Sequence, residues 1–273
     1  MNALHNIANS LHNSPTMPVL FLGHGSPMNA IEENIFVQGF RKIGKKLPKP
    51  SAILCVSAHW ETKGTFITAM DAPKTIHDFR GFPQQLFDVQ YPAKGNPALA
   101  KSIQSNITQS TIGLDYDWGL DHGAWSVIKH LFPLADVPVL QLSLDYSKPA
   151  SYHYALAKEL HFLRNKGVLI VGSGNMVHNL GLVAWDKLQG TPYAYDWALE
   201  AMDILRTGIL HDTFQPLIEF EKQGRALQLA IPTPEHYLPL LYCLALKNKG
   251  ESISLFNDLP VGGSLFMTSL IIE

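Results

Sequence analysis

The sequence is poor in cysteine and in charged residues. Of its 273 residues, 2 are cysteines, and 16% are charged where soluble domains usually have about 25%. Cys55 and Cys243 each lie in an apolar stretch, which indicates two core thiols rather than a disulfide and is typical of a reducing cytosol. The low charge indicates extensive burial or a subunit interface, so the composition allows a homo-oligomer.

Long apolar runs and basic clusters are also missing. No run reaches the roughly 18 apolar residues that span a bilayer. Residues 1–16 are polar and resemble neither a signal peptide nor an anchor, so we expect a disordered extension there. The formal net charge is −2, without a Lys/Arg cluster that nucleic acid would require. The sequence therefore predicts a cytoplasmic protein with neither a membrane nor a nucleic-acid partner.

Motifs of two common enzyme classes are absent as well. There is no Gly-x-Ser-x-Gly elbow to support a serine hydrolase. The segment Gly172-Ser173-Gly174 is too short to form a phosphate cradle or a nucleotide fingerprint. Histidine, in contrast, is abundant, with 12 residues, and this excess requires an explanation.

Three histidines follow short apolar runs that end in glycine or serine. The runs cover 19–23, 53–57 and 168–174, and they are typical of strands buried on both faces. In open α/β sheets, ligands bind beyond the carboxyl ends of such strands. We therefore expect the three imidazoles to converge on one crevice and to bind a divalent metal there. These histidines are His24, His59 and His178.

Strand-like and helix-like segments alternate along most of the chain. Strands are predicted at 17–22, 52–57, 65–70, 137–144, 168–173 and 263–272. Helices are predicted at 29–43, 97–108, 121–131, 149–163, 194–210, 213–223 and 234–246. This alternation predicts one α/β domain over residues 17–273, with helices flanking a mostly parallel or mixed sheet. The strand at 65–70 is expected to pair with the strand at 52–57, and the loop at 71–95 is expected to be functional.

Two more histidines lie near predicted helix starts. His122 follows Asp121, a predicted N-cap, and a neutral imidazole there can hydrogen-bond a substrate oxygen or be a structural residue. His236 lies in the first turn of the helix predicted at 234–246, where Glu235 can either complement the helix dipole or act in catalysis. His178 can ligate a metal or act as an acid/base beside it.

Six segments occur in the order that is typical of one enzyme family. They are LGHGSPM at 22–28, SAHW at 57–60, IHDFRGFP at 76–83, GLDHGAW at 119–125, GSGNMVHNL at 172–180 and PTPEHY at 232–237. With these motifs, the chain resembles the 4,5-DOPA extradiol dioxygenases of the class III, or LigB-type, ring-cleavage superfamily. The resemblance extends from about Pro18 to the C-terminus.

The resemblance implies a LigB-like fold and a non-haem metal site. The metal is usually iron(II), and zinc is often found in bacterial relatives. The family's ligand positions fall on His24 and His59 and are commonly extended to His178 and His236. Because the wider superfamily uses two histidines, a glutamate and a histidine acid/base, His178 can be a ligand or the acid/base. The third ligand can be Glu235 or His236.

The implied reaction is the opening of a catechol such as DOPA by O₂, which places the enzyme in aromatic compound metabolism. In this scheme His178 removes a phenolic proton and His122 stabilises charge that develops on oxygen. Five aromatic side chains near the motifs are candidates for the substrate pocket: Trp60, Phe79, Phe82, Trp125 and Tyr237. The alternative is a zinc hydrolase or a zinc-binding protein without oxygenase activity, because a site of imidazoles suits zinc at least as well.

Overall fold

Residues 14–188 and 191–273 are described by a computed structural model, and within them ten β-strands alternate with nine α-helices. The strands are β1 (Val19–Gly23), β2 (Ala52–Thr62), β3 (Thr65–Thr68), β4 (Ile112–Asp115), β5 (Val139–Asp145), β6 (Val168–Gly174), β7 (Ile253–Phe256), β8 (Pro260–Val261), β9 (Leu265–Phe266) and β10 (Ser269–Ile272). The helices are α1 (Ile35–Gly44), α2 (Gln84–Phe87), α3 (Pro97–Asn106), α4 (His122–Leu131), α5 (Ala150–Glu159), α6 (Asp196–Leu210), α7 (Gln215–Ile218), α8 (Arg225–Ala230) and α9 (Leu238–Ala245).

The predicted extension at 1–16 falls mostly outside the described residues, since 1–13 are not among them. At its end, the Ser14 N–H donates to the Asn165 carbonyl at 3.0 Å. Within the described ranges, no helix combines the length and the apolar character that crossing a membrane requires.

Eight of the described strands form one mixed sheet, in the order β4-β3-β5-β2-β6-β1-β10-β7. The central strands β5, β2, β6 and β1 are parallel to one another. At one edge β10 is antiparallel to β1, and β7 is antiparallel to β10. Strands β8 and β9 form a separate two-stranded antiparallel sheet. The predicted α/β fold with a mixed sheet between helices is confirmed.

The expected pairing of β3 with β2 is wrong. β3 lies between β4 and β5, parallel to β4 and antiparallel to β5. The reason is burial: β5 is buried along its whole length and takes the central position beside β2, whereas β3 leaves Phe66 partly exposed. The edge strands β4 and β7 were not predicted, because most of their residues are only partly buried and form no continuous apolar run.

Several predicted helix boundaries also need correction. The segment 234–246 becomes helical only at Leu238, as α9, so His236 precedes the helix rather than lying in its first turn. The helix predicted at 29–43 is divided into a 3₁₀ turn, Pro27–Ala30, and α1. Asn34 starts α1 as its N-cap, accepting hydrogen bonds from the backbone of Phe36 and Val37. Helix α8 was not predicted.

Both faces of the sheet are covered, because side chains alternate along each central strand. In β1, Val19 and Phe21 pack against the layer that contains α3, α5, α6 and α9, and Leu20 and Leu22 pack against α1 and α4. Cys55 and Cys243 are buried free thiols, as expected. Since β2, β6 and β1 are parallel neighbours, their carboxyl ends open onto one crevice between the helical layers.

Candidate active site

Five histidines lie together at the carboxyl-terminal edge formed by β1, β2 and β6. The Nε2 atoms of His24 and His59 are 3.1 Å apart. The ring centroid of His122 lies 3.9 Å from that of His59, and the centroid of His236 lies 5.0 Å from it. The ring of His178 stacks on that of His236, with centroids 3.6 Å apart. The structure thus brings together all the histidines that the sequence analysis singled out as site candidates, which we call the histidine cluster: His24, His59, His122, His178 and His236.

The ends of two strands place the first pair of rings. His24 follows β1 directly, and its backbone N–H donates to the Gly174 carbonyl of β6 at 3.1 Å. His59 lies in the distal part of β2, where the register with β5 shifts between Val56 and Glu61. Irregularities of this kind redirect side chains. The shift therefore occurs where the ring of His59 meets that of His24.

A glycine at the end of β6 admits the segment that carries His236. A Cβ atom at Gly174 would lie 2.1 Å from the carbonyl oxygen of His236, so only glycine fits there. The next residue, Asn175, donates its backbone N–H to the same carbonyl at 2.9 Å. Close backbone contact thus brings residue 236 to the strand end that leads to His178.

Hydrogen bonds at Nδ1 fix the ring of His24. Its Nδ1 lies 3.0 Å from Ser173 Oγ, and that hydroxyl donates its single proton to the Gly123 carbonyl at 2.5 Å. The hydroxyl oxygen must then accept from His24, so Nδ1 carries the ring proton. The Nε2 lone pair of His24 is left facing the cluster.

Two other rings are held at Nδ1 by a carboxylate. The Nδ1 atom of His122 lies 2.9 Å from Asp78 Oδ2, and the Nδ1 atom of His236 lies 3.1 Å from Glu235 Oε1. An ionised carboxylate only accepts hydrogen bonds, so both rings carry their proton on Nδ1. Their Nε2 atoms are unprotonated as long as the rings are neutral.

The buried environment keeps four histidines of the cluster neutral. Burial, followed by the charge of His59, holds the pKa of His24 well below its usual range. Burial and the neighbouring rings likewise lower the pKa of His59 and His236, and the pKa of His178 is lowered to about 3. Burial acts to raise the pKa of Glu235, but its hydrogen bonds outweigh that effect and lower the pKa to about 2. Near pH 7 these four imidazoles are therefore neutral and lie beside an ionised carboxylate.

The geometry of the donors suits a divalent metal. The ligand atoms of His24, His59 and His122 lie within 4.8 Å of one another, and so do those of His178, Glu235 and His236. Two nitrogens about 2.1 Å from a shared ion are roughly 3.0–3.4 Å apart, and the two Nε2 atoms of His24 and His59 are 3.1 Å apart. When His59 carries its proton on Nδ1, both lone pairs face each other, and a cation between them removes their repulsion. The residues present therefore fit a metal held by imidazoles.

The predicted aromatic pocket is only partly formed. Trp60, Trp125 and Tyr237 are buried in the core, with at most 2% of their surface exposed, so they offer no surface to a substrate. Phe79 remains partly exposed and contacts His122 edge-on at a centroid distance of 5.5 Å. Phe82 packs against Phe79 at 5.4 Å. The aromatic surface beside the cluster thus comes from the loop at 71–95.

Sequence reasoning did not assign roles to Asp78 or Ser173, although both lie inside the quoted motifs. Asp78 is one of three aspartates in the loop at 71–95, and nothing in the sequence distinguishes it from the other two. Ser173 gave no signal, because a serine between two glycines at a strand end is equally typical of a turn. Their partners, His122 and His24, lie 44 and 149 positions away along the chain.

Comparison with known proteins agrees with this geometry. Residues 14–251 match the family described as the catalytic LigB subunit of aromatic ring-opening dioxygenase. The chain belongs to the LigB family. It is 44% identical to the 4,5-DOPA dioxygenase extradiol of Escherichia coli (strain K12), over 94% of this chain and 95% of that protein. It is also 36% identical to the 4,5-DOPA dioxygenase extradiol of Beta vulgaris, over 89% of this chain and 91% of that protein.

A solved structure resembles the chain over nearly its full length. The crystal structure of an uncharacterized protein from Escherichia coli K12 has a TM-score of 0.80 and 40% sequence identity, and the match covers 94% of this chain and 100% of that chain. The predicted resemblance is therefore confirmed, and so is the expectation of an enzyme of the extradiol dioxygenase class. The His-rich site of this LigB-family enzyme is consistent with a divalent metal.

Proposed function

We propose that this enzyme opens the ring of a catechol such as DOPA with O₂, at a non-haem metal held by the histidine cluster. The observation that carries the proposal is the 3.1 Å separation of the His24 and His59 Nε2 atoms beneath an aromatic loop. The relatives from Escherichia coli and Beta vulgaris, both named 4,5-DOPA dioxygenase extradiol, support the choice of substrate.

The metal ligands in this proposal are His24, His59 and His236, and His178, which the resemblance allows as a ligand or as the acid/base, is assigned the second role. Between the two candidates for the third ligand, His236 is favoured over Glu235. The Glu235 carboxylate already accepts hydrogen bonds from Thr233 and from Nδ1 of His236. It therefore supports the ring of His236, whose Nε2 is free to ligate. When bound, a divalent metal would supply Lewis acidity towards the phenolic oxygens, and iron(II) would also supply the electrons that activate O₂.

His178 is the proposed base that takes a phenolic proton. Among the described residues, no hydrogen bond holds its ring, whereas the rings of His24, His122 and His236 are each held at Nδ1. Burial lowers the pKa of His178, so the ring is unprotonated near neutral pH and has a nitrogen open to a proton. It can later return this proton to the ring-opened product.

His122 and Phe79 are proposed to hold the substrate. The Nδ1 atom of His122 faces Asp78, so its Nε2 faces the cluster and can pair with a phenolic O–H. Once it is protonated it can stabilise negative charge on oxygen, which is the role that the resemblance implies. The partly exposed ring of Phe79, which contacts His122, offers a flat apolar surface for the aromatic ring of a catechol.

The second candidate is a zinc hydrolase or a zinc-binding protein without oxygenase activity. The observation that favours it is the donor set itself, since three imidazoles without a carboxylate form the group His24, His59 and His122. Such sets are common in zinc enzymes. The two candidates differ in the metal required and in whether O₂ is consumed.

Anaerobic reconstitution separates the two candidates. The demetallated enzyme is loaded with iron(II) without air, and L-DOPA is then added, followed by O₂. The proposal predicts a yellow ring-opened product and consumption of about one O₂ per catechol, because both oxygen atoms enter the product. The enzyme loaded with zinc(II) is the matched control and shows whether the reaction requires a redox-active metal. A colourless mixture without O₂ uptake in the iron-loaded sample would contradict the proposal and favour the zinc candidate.

A further inference from the structure

The carboxylate of Asp78 makes two hydrogen bonds to a single residue of the cluster. Its Oδ1 accepts the backbone N–H of His122, and its Oδ2 faces Nδ1 of the His122 ring, both at 2.9 Å. The backbone N–H belongs to the first turn of α4, where it has no partner within the helix. The two bonds therefore fix both the position of the ring and its orientation.

The same oxygen also faces a second ring. Asp78 Oδ2 lies 3.6 Å from Nδ1 of His59, and the ring centroids of His59 and His122 are 3.9 Å apart. The Asp78 side chain is 18% exposed, so solvent screens these contacts only in part. One carboxylate thus lies behind two imidazoles, on the side away from the centre of the cluster.

The loop that carries Asp78 is tied to the start of α4. The Ile76 N–H donates to the Leu120 carbonyl at 2.7 Å, and the Leu120 N–H donates to the Lys74 carbonyl at 2.8 Å. The indole of Trp125 donates to the Ile76 carbonyl at 2.8 Å. These three hydrogen bonds fix residues 74–76 against residues 120–125. They therefore hold the backbone of Asp78 beside His122.

We propose that Asp78 is a positioning residue that keeps the proton of His122 on Nδ1 and so directs the Nε2 lone pair into the cluster. Through its 3.6 Å contact with Nδ1 of His59, Asp78 also favours the Nδ1-protonated form of that ring. The inference rests on the proposed metal site, because it concerns how two imidazoles are presented to that site. Outer partners of this kind typically change metal affinity by about 10–100-fold.

The substitution Asp78→Asn tests this directly. The backbone N–H of His122 can only donate, so the amide oxygen of asparagine pairs with it, and the amide NH₂ then faces Nδ1. An NH₂ group can only donate, so the ring proton moves from Nδ1 to Nε2. The matched control is Asp88→Asn in the same loop, where the exposed carboxylate accepts a hydrogen bond from Gln84.

Ring ¹⁵N NMR spectra of the demetallated proteins show which nitrogen carries the proton, and His122→Gln assigns the signal. We expect Nδ1–H in the wild type and in Asp88→Asn, and Nε2–H in Asp78→Asn. Because Asp78 also faces Nδ1 of the proposed ligand His59, zinc affinity, measured by competition with a chelator, should fall by about 10–100-fold in Asp78→Asn alone. An Nδ1 proton retained in Asp78→Asn, or zinc affinity equal to that of the control, would overturn the inference.

Asp78→Glu provides a second variant if Asp78→Asn fails to fold. It retains a carboxylate, so we expect the His122 proton to stay on Nδ1, and an Nε2 proton in this variant would also overturn the inference. Both readouts are taken without catechol or O₂. Failure of the wild type to open DOPA would therefore contradict the proposed function without affecting this result.

Discussion

The rings of His178 and His236 lie parallel, with their planes 9° apart and their centroids 3.6 Å apart. Of these two rings, only that of His236 has a side-chain hydrogen-bond partner among the described residues, the carboxylate of Glu235. The stacked pair therefore joins a ring with a fixed proton to a ring that is free to exchange one. This difference supports the two roles proposed for the pair, a ligand for His236 and a base for His178.

The substitution His178→Ala should therefore impair turnover far more than metal binding. Removing a general base typically costs about 10²–10⁴-fold in rate. The measurements are kcat with L-DOPA and metal content by mass spectrometry on the same sample. His161→Ala is the control, because His161 pairs with Asn248 outside the cluster. Parallel loss of metal and activity would instead make His178 a ligand.

Ser173→Ala should weaken metal binding although it removes only a hydroxyl group. The Nδ1–H of His24 would lose its acceptor, and we expect about a 10–100-fold loss of zinc affinity in chelator competition. Ser143→Ala is the matched control. It removes another fully buried hydroxyl, which accepts from the Phe66 N–H in β3. If both variants lose the same affinity, the effect comes from general destabilisation.

Gly123→Ala should displace a ring of the histidine cluster by steric overlap. A Cβ atom at Gly123 would lie 2.6 Å from Ser57 Oγ and 2.8 Å from Cδ2 of His59. Overpacking of this kind costs about 1–3 kcal/mol, and here the strain displaces the His59 ring. We expect lower metal affinity by calorimetric titration. In the control Gly181→Ala the nearest atom is 3.3 Å away, so a small shift suffices and affinity should stay unchanged.

His153 should make folding stability depend on pH. It lies in α5 and is fully buried, and burial lowers its pKa to about 4. In the unfolded chain the ring titrates near 6.5, so below that pH the unfolded state binds a proton that the folded state does not. Stability therefore falls as the pH decreases from about 6.5 to about 4.

Urea unfolding of His153→Asn tests this dependence, since asparagine can still pair with Tyr242, as Nδ1 of His153 does at 3.0 Å. Between pH 7.5 and pH 5 the variant should lose about 2 kcal/mol less unfolding free energy than the wild type. The difference at pH 7.5 measures the packing cost alone, because the ring is neutral in both states there. Equal losses in the two proteins would contradict the assignment.

The strands that form the site could be predicted because their signals are local. β1, β2 and β6 are continuous apolar runs, each followed by a histidine, and parallel packing brings their ends together. The position of β3 could not be predicted in this way. It depends on whether β5 or β3 buries more surface beside β2, and that is a property of the folded sheet rather than of either segment.

Asp78 and Ser173 were beyond sequence reasoning for a related reason. Each acts on a ring from another part of the chain, His122 or His24, and the hydrogen bonds exist only once the sheet is assembled. The boundary of α9 is a similar case, since the segment that carries His236 is held by contact with β6 instead of continuing the helix. Histidines could be proposed from the sequence, but the orientation of their rings could not.

Imidazoles from separate parts of the chain are proposed to bind one metal ion, so the number of bound ions per chain depends on each of them. Demetallated wild type and His59→Ala are dialysed against iron(II) without air, or against zinc(II), and the bound metal is measured by mass spectrometry, with His161→Ala as the control. We expect about one ion per chain in the wild type and the control, and far less in His59→Ala. Full metal content in His59→Ala, or none in the wild type, would contradict it.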